Sequence, residues 1–96
     1  MTMEKEKERA LEEFLENPLW KEYYETAPSD LCKSYIEYEF LYSNTDRYEN
    51  EAVAILKEIE KDMDVDDWRH LMKYCGNNPF KGICRKRIKE LESKSK

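Results

Sequence analysis

Apolar residues return along this chain at intervals of three and four, and the interval is kept in segment after segment. Over 3–16, Ala10, Leu11, Phe14 and Leu15 fall on one side of a helix whose opening turns are charged. Asn17-Pro18 breaks that helix and can start the next one, with Asn17 as N-cap and Pro18 in the first helical position. This second helix, from 18 to about 26, carries Leu19, Trp20, Tyr23 and Tyr24 and ends at Ala27-Pro28.

The stretch 29–44, SDLCKSYIEYEFLYSN, is interrupted only by Asp30, Lys33, Glu37 and Glu39. A helix turns about 100° per residue. Leu31, Tyr35, Tyr38 and Tyr42 then form one stripe and Cys32, Ile36 and Phe40 a second, with Glu39 between them. Lys33 and Glu37 fall together on the far side, four apart, where they can pair. As a strand, Ile36, Tyr38, Phe40 and Tyr42 would alternate with Glu37, Glu39 and Leu41. The helix is preferred: no other segment reads as a strand to pair with, and Ser29 or Asp30 offers an N-cap.

Beyond the polar stretch 44–50, Ala52, Ile55, Leu56, Ile59 and Met63 repeat with helical spacing. They predict a helix from about 46 to 63, capped by Thr45 or Asp46. Asp64 or Asp66 caps another, on which Trp68, Leu71, Met72 and Cys75 share a face, and Gly76 is its expected C-terminal stop. Asn78-Pro79 repeats the Asn-Pro start. The last helix runs to about 92 and buries Phe80, Ile83, Cys84, Ile88 and Leu91. The expected fold is therefore all-α: one domain over 1–96, a compact bundle of five to six short helices around a central helix at 29–44. Residues 1–5 and 93–96 are expected to be flexible.

The chain is 96 residues long, 40% hydrophobic and 41% charged, which suits one modest core. No apolar run approaches the roughly 20 residues that span a membrane. The first residues lack the apolar segment of a signal peptide. Three cysteines at unrelated spacings, Cys32, Cys75 and Cys84, each on an apolar face, predict buried reduced thiols and a cytoplasmic protein.

Charge divides the chain. Residues 1–67 hold 8 Lys and Arg against 20 Asp and Glu, a balance of −12; residues 68–96 hold 9 against 2, a balance of +7. Lys81, Arg85, Lys86, Arg87 and Lys89 concentrate on the last helix. They are candidates for phosphate contact, or simply for attraction to the acidic helices.

Chemistry finds little purchase. Asp62, Asp64 and Asp66 are spaced like the start of a calcium loop, but Asp67 stands where the loop needs glycine and Lys73 where it needs a bidentate glutamate. Cys32, Cys75, Cys84 and His70 lack the paired spacing of a zinc site, and His70 is expected on the polar side with Arg69 and Lys73. No nucleophile motif or glycine-rich phosphate loop occurs. Glu39 among Tyr35, Tyr38 and Tyr42 could carry a raised pKa; the ordinary reading is a carboxylate at a helix edge or bonded to a tyrosine hydroxyl. No enzyme activity, cofactor or metal is expected.

Two functional classes remain. Tyr23, Tyr24 and Tyr48, with Tyr42, are expected to stay partly exposed among acids, where tyrosines serve protein interfaces. This points to a regulatory or interaction protein with a protein partner. The other class is nucleic-acid binding through the helix pair at 66–92, which has a helix-turn-helix outline and a basic second helix. Against it, the N-terminal end of that second helix reads Phe80, Lys81, Gly82. A homo-oligomer is compatible with either class.

Overall fold

A computed structural model describes residues 2–76 and 78–94. Among them there are six helices and no strand: α1 (Met3–Leu15), α2 (Pro18–Glu25), α3 (Asp30–Asn44), α4 (Glu49–Glu60), α5 (Val65–Tyr74) and α6 (Asn78–Lys94). The strand reading of residues 34–42 is thereby excluded. Residues 3–5 and 93–94, expected to be loose, lie within helices, and Thr2 caps α1 through the Lys5 N–H. The same expectation for Met1, Ser95 and Lys96 falls outside the described residues.

Most helix starts follow the local signals. Asn17 accepts the Leu19 N–H at 2.9 Å with Pro18 behind it, and Ser29 accepts the Cys32 N–H at 3.0 Å. Asp64 and Asp67 form a reciprocal capping box. The box reaches across the fold, because the Ser29 hydroxyl donates to Asp67 Oδ1 at 2.8 Å. Asp67 is only 2% exposed, so the starts of α3 and α5 are joined through one buried carboxylate.

Several termini differ from expectation, and α4, expected to reach about residue 63, stops at Glu60. Helix α4 begins at Glu49, not near residue 46: the Thr45 hydroxyl accepts the Arg47 N–H in a local turn, and no side chain caps α4. Helix α5 ends on Cys75 in extended geometry, and Gly76 does not take the left-handed conformation of a helix-stopping glycine.

Helix α3 supplies Cys32, Tyr35, Ile36, Phe40 and Leu41 to the interior, more buried residues than any other helix. It packs against α1, α4 and α2, while α5 and α6 pack on one another. Phe14 of α1 stacks on Phe40 at 4.4 Å, and Trp20 of α2 stands edge-on to both. Tyr35 meets Trp68 of α5 at 6.3 Å. Burying a side chain of this size contributes roughly 1.5–3 kcal/mol. Leu41, absent from both expected stripes, is fully buried. Ile83 was expected in the core but is 47% exposed, whereas Cys84 and Ile88 face inward. Cys32 and Cys84 are buried; Cys75, at the helix end, is only half-buried.

The Asp67 link is open to test. Asp67→Ala leaves the Ser29 hydroxyl and the Asp64 N–H without their acceptor, and should lower unfolding stability by about 2–4 kcal/mol. Asp66→Ala, at an exposed position one residue away, should change it by no more than about 0.5 kcal/mol. Equal effects in chemical denaturation would remove the link.

Candidate functional site

The site is built on the residue that interrupts the apolar faces of α3. Tyr35, Glu39, Cys32, Ile36 and Phe40 occupy one arc of about 140° on that helix, and Glu39 stands inside it. The Tyr23 hydroxyl of α2 donates to Glu39 Oε1 at 2.8 Å. Burial pushes the Glu39 carboxyl up to about 7, and the Tyr23 hydrogen bond only partly offsets that rise. Among the described residues, no lysine or arginine is paired with it.

Glu39 opens on a cavity of about 250 Å³. Its lining includes Phe14 of α1, Trp20 and Tyr23 of α2, Phe40 of α3, Tyr74 of α5, Cys75 at the end of α5, and Phe80 of α6. Besides Glu39, Ser43 supplies the only other polar side chain from α3 at this wall. A second concavity, reaching Tyr35, Tyr42 and Leu56, shares Glu39, Ser43, Cys75 and Phe80. The residues facing the carboxylate stay neutral near pH 7. Burial raises the Tyr23 and Tyr35 hydroxyls well above the ordinary tyrosine range, and pushes Cys32 up to about 12 and Cys84 to about 11.

The tyrosines are distributed differently from expectation. Tyr23 is 5% exposed, which removes it from any outer surface. Its ring contacts Trp20 and Tyr74 and stacks on His70 at 5.4 Å, and its hydroxyl is turned to Glu39. Neither is His70 on a purely polar face: its Nε2–H donates to the Tyr23 carbonyl at 2.7 Å, tying α5 to α2. Tyr24 is half-buried, and its hydroxyl donates to Glu37, which also meets Lys7 at 3.5 Å. Glu37 thus draws its partners from α1 and α2, while Lys33 lies over the Tyr24 ring. Tyr48 is half-buried and Tyr42 is exposed.

Of the basic residues on α6, Arg85, Lys86, Arg87 and Lys89 are exposed and Lys81 is half-buried. Arg87 lies 3.5 Å from Glu90, and Arg69 of α5 reaches Glu92. Lys86 and Arg87 line a concavity together with Lys57 and Glu60 of α4, Lys61 just after it, and the exposed Ile83. No three His, Cys, Asp or Glu side chains gather into a metal-holding group among the described residues, and no helix is long and apolar enough to cross a membrane. Comparison with family models, curated proteins and solved structures found no match to this chain.

The raised Glu39 pKa carries a stability consequence. The folded protein holds the proton more tightly than the unfolded chain, so this group's contribution is fully present below about pH 4.5 and is lost as pH rises through 7. The loss amounts to up to about 3 kcal/mol. Glu39→Gln keeps an acceptor for Tyr23 and removes the charge. It should be more stable than wild type at pH 8 and close to it at pH 4.5. A wild-type advantage at pH 8 would place the carboxylate in a solvated setting.

Proposed function

We propose that this chain is a small non-catalytic interaction protein that binds a basic partner protein through the acidic face of α1 and α2. The supporting observation is the company kept by Leu19, which is 53% exposed at the start of α2. Glu12, Glu13 and Glu16 precede it and Glu22 and Glu25 follow it, all exposed. A large apolar side chain with exposed acids before and after it in the chain suits an interface with an apolar centre and a charged rim. Tyr24 and Tyr48, both half-buried, remain candidates to extend that contact. Tyr23 supports it only from inside.

Nucleic-acid binding is the second reading, favoured by the exposed Arg85, Lys86, Arg87 and Lys89 on one helix. A reading helix contacts bases mainly through its N-terminal residues. In α6 that end carries Phe80, which is packed against the core and lines the Glu39 cavity.

Crosslinking of captured partners separates the two. Contacts should map to α1 and α2, be lost with Leu19→Asp or with Glu13→Lys/Glu16→Lys, and survive Arg85→Ala/Lys89→Ala. Contacts on α6, with DNA or RNA affinity falling by roughly 0.9 log units per log unit of salt for each duplex phosphate contact, would reverse the preference.

A further inference from the structure

We propose that the Glu39 cavity is a binding site for a small alkylammonium group, its positive nitrogen set against the Glu39 carboxylate and its alkyl groups against the rings of Phe14, Trp20 and Phe80. This reading stands apart from the α1–α2 docking face and does not depend on it.

Geometry, size and charge converge on that ligand. The cavity's walls are largely aromatic, and its polar side chains include the α3 residues Glu39 and Ser43. Aromatic faces attract cations through their quadrupole, most strongly where water is excluded. At about 250 Å³ the cavity lies below the roughly 300–1,000 Å³ of drug-sized pockets. That is room for a head group. A carboxylate held away from water without a counter-charge is unfavourable, and a bound cation supplies one.

The degree of alkylation follows from hydrogen-bond supply. A bare ammonium carries three N–H donors and needs acceptors for all of them. An alkylated nitrogen has fewer donors or none, and presents the apolar surface that the rings can cover.

Proton release gives the site a signature. Cation binding favours ionised Glu39. The other titratable groups near it are Tyr23 of α2, Cys32 and Tyr35 of α3, Tyr74 of α5, Cys75 at its end and Cys84 of α6, with His70 behind Tyr23. With a Glu39 midpoint of about 7, affinity should be about tenfold higher at pH 8 than at pH 6.

The probe is choline, followed through the Trp20 indole signal in NMR titrations of the full chain. 3,3-Dimethylbutan-1-ol serves as its neutral isostere. Choline should bind saturably, about tenfold more tightly than the isostere, and Glu39→Gln should abolish that preference and the pH step together. Two further peptides, one carrying trimethyllysine and one with unmodified lysine, identify the source of the group. Trimethyllysine binding more tightly than choline assigns it to a modified partner chain; choline binding as tightly assigns it to a free amine. Equal affinity for choline and the isostere would reduce the cavity to an apolar pocket and overturn the proposal. So would unchanged choline binding in Glu39→Gln, preference for unmodified lysine, or no saturation. A pH step that survives Glu39→Gln would place the titration on another group and overturn it equally.

Discussion

Helix α3 must be hidden on one broad side, yet it carries a carboxylate in the middle of that side. Cys32, Ile36 and Phe40 flank Glu39 in one direction around the helix and Tyr35 in the other, and all four are buried. Leu41 is buried as well, on a different face. An amphipathic helix with one apolar stripe can rest on a single neighbour. A helix buried on more than one side needs several, and α3 packs against α1, α4 and α2 and meets α5 through Trp68.

Covering Glu39 without neutralising it shapes what lies around it. The Tyr23 hydroxyl satisfies one carboxylate oxygen, which fixes the Tyr23 ring, and that ring in turn stacks on His70. Polar groups taken out of water are tolerated when hydrogen-bonded, and the same hydrogen bond anchors α2 to α3, while His70 ties α5 to α2 through the Tyr23 carbonyl. Asp67, a buried carboxylate, does comparable work at the opposite end of α3 through Ser29. The aromatic residues that close around Glu39 come from both ends of the chain, Phe14 near its start and Phe80 near its end.

What the sequence made legible was local. Asn17-Pro18, Ser29 and Asp64 name their helix starts because an N-cap bond is made within three residues. Glu39 could be placed between two stripes from spacing alone. Its surroundings could not: they depend on how α2 and α6 are rotated. Leu19, Trp20, Tyr23 and Tyr24 share one arc of about 140° on α2, and spacing alone does not say which hydroxyl of that arc reaches inward; the acceptor on Glu39, sixteen residues from Tyr23, selects it. Ile83 and Cys84 are adjacent on α6, and the packing of α6 against α5 turns Cys84 inward and leaves Ile83 outside. The Ser29–Asp67 bond joins residues thirty-eight apart and leaves no trace in local pattern.

The charge asymmetry survives folding as an acidic α1–α2 surface and a basic α6, with the Glu39 cavity lined from both. All of this rests on one electrostatic statement: the Glu39 carboxylate sits in a desolvated aromatic setting. Carbon-detected NMR titration of its side-chain carboxyl measures that directly. A midpoint near 7 is expected. A midpoint in the ordinary glutamate range, about 4.3, would mean that water reaches the group freely, and would contradict the account.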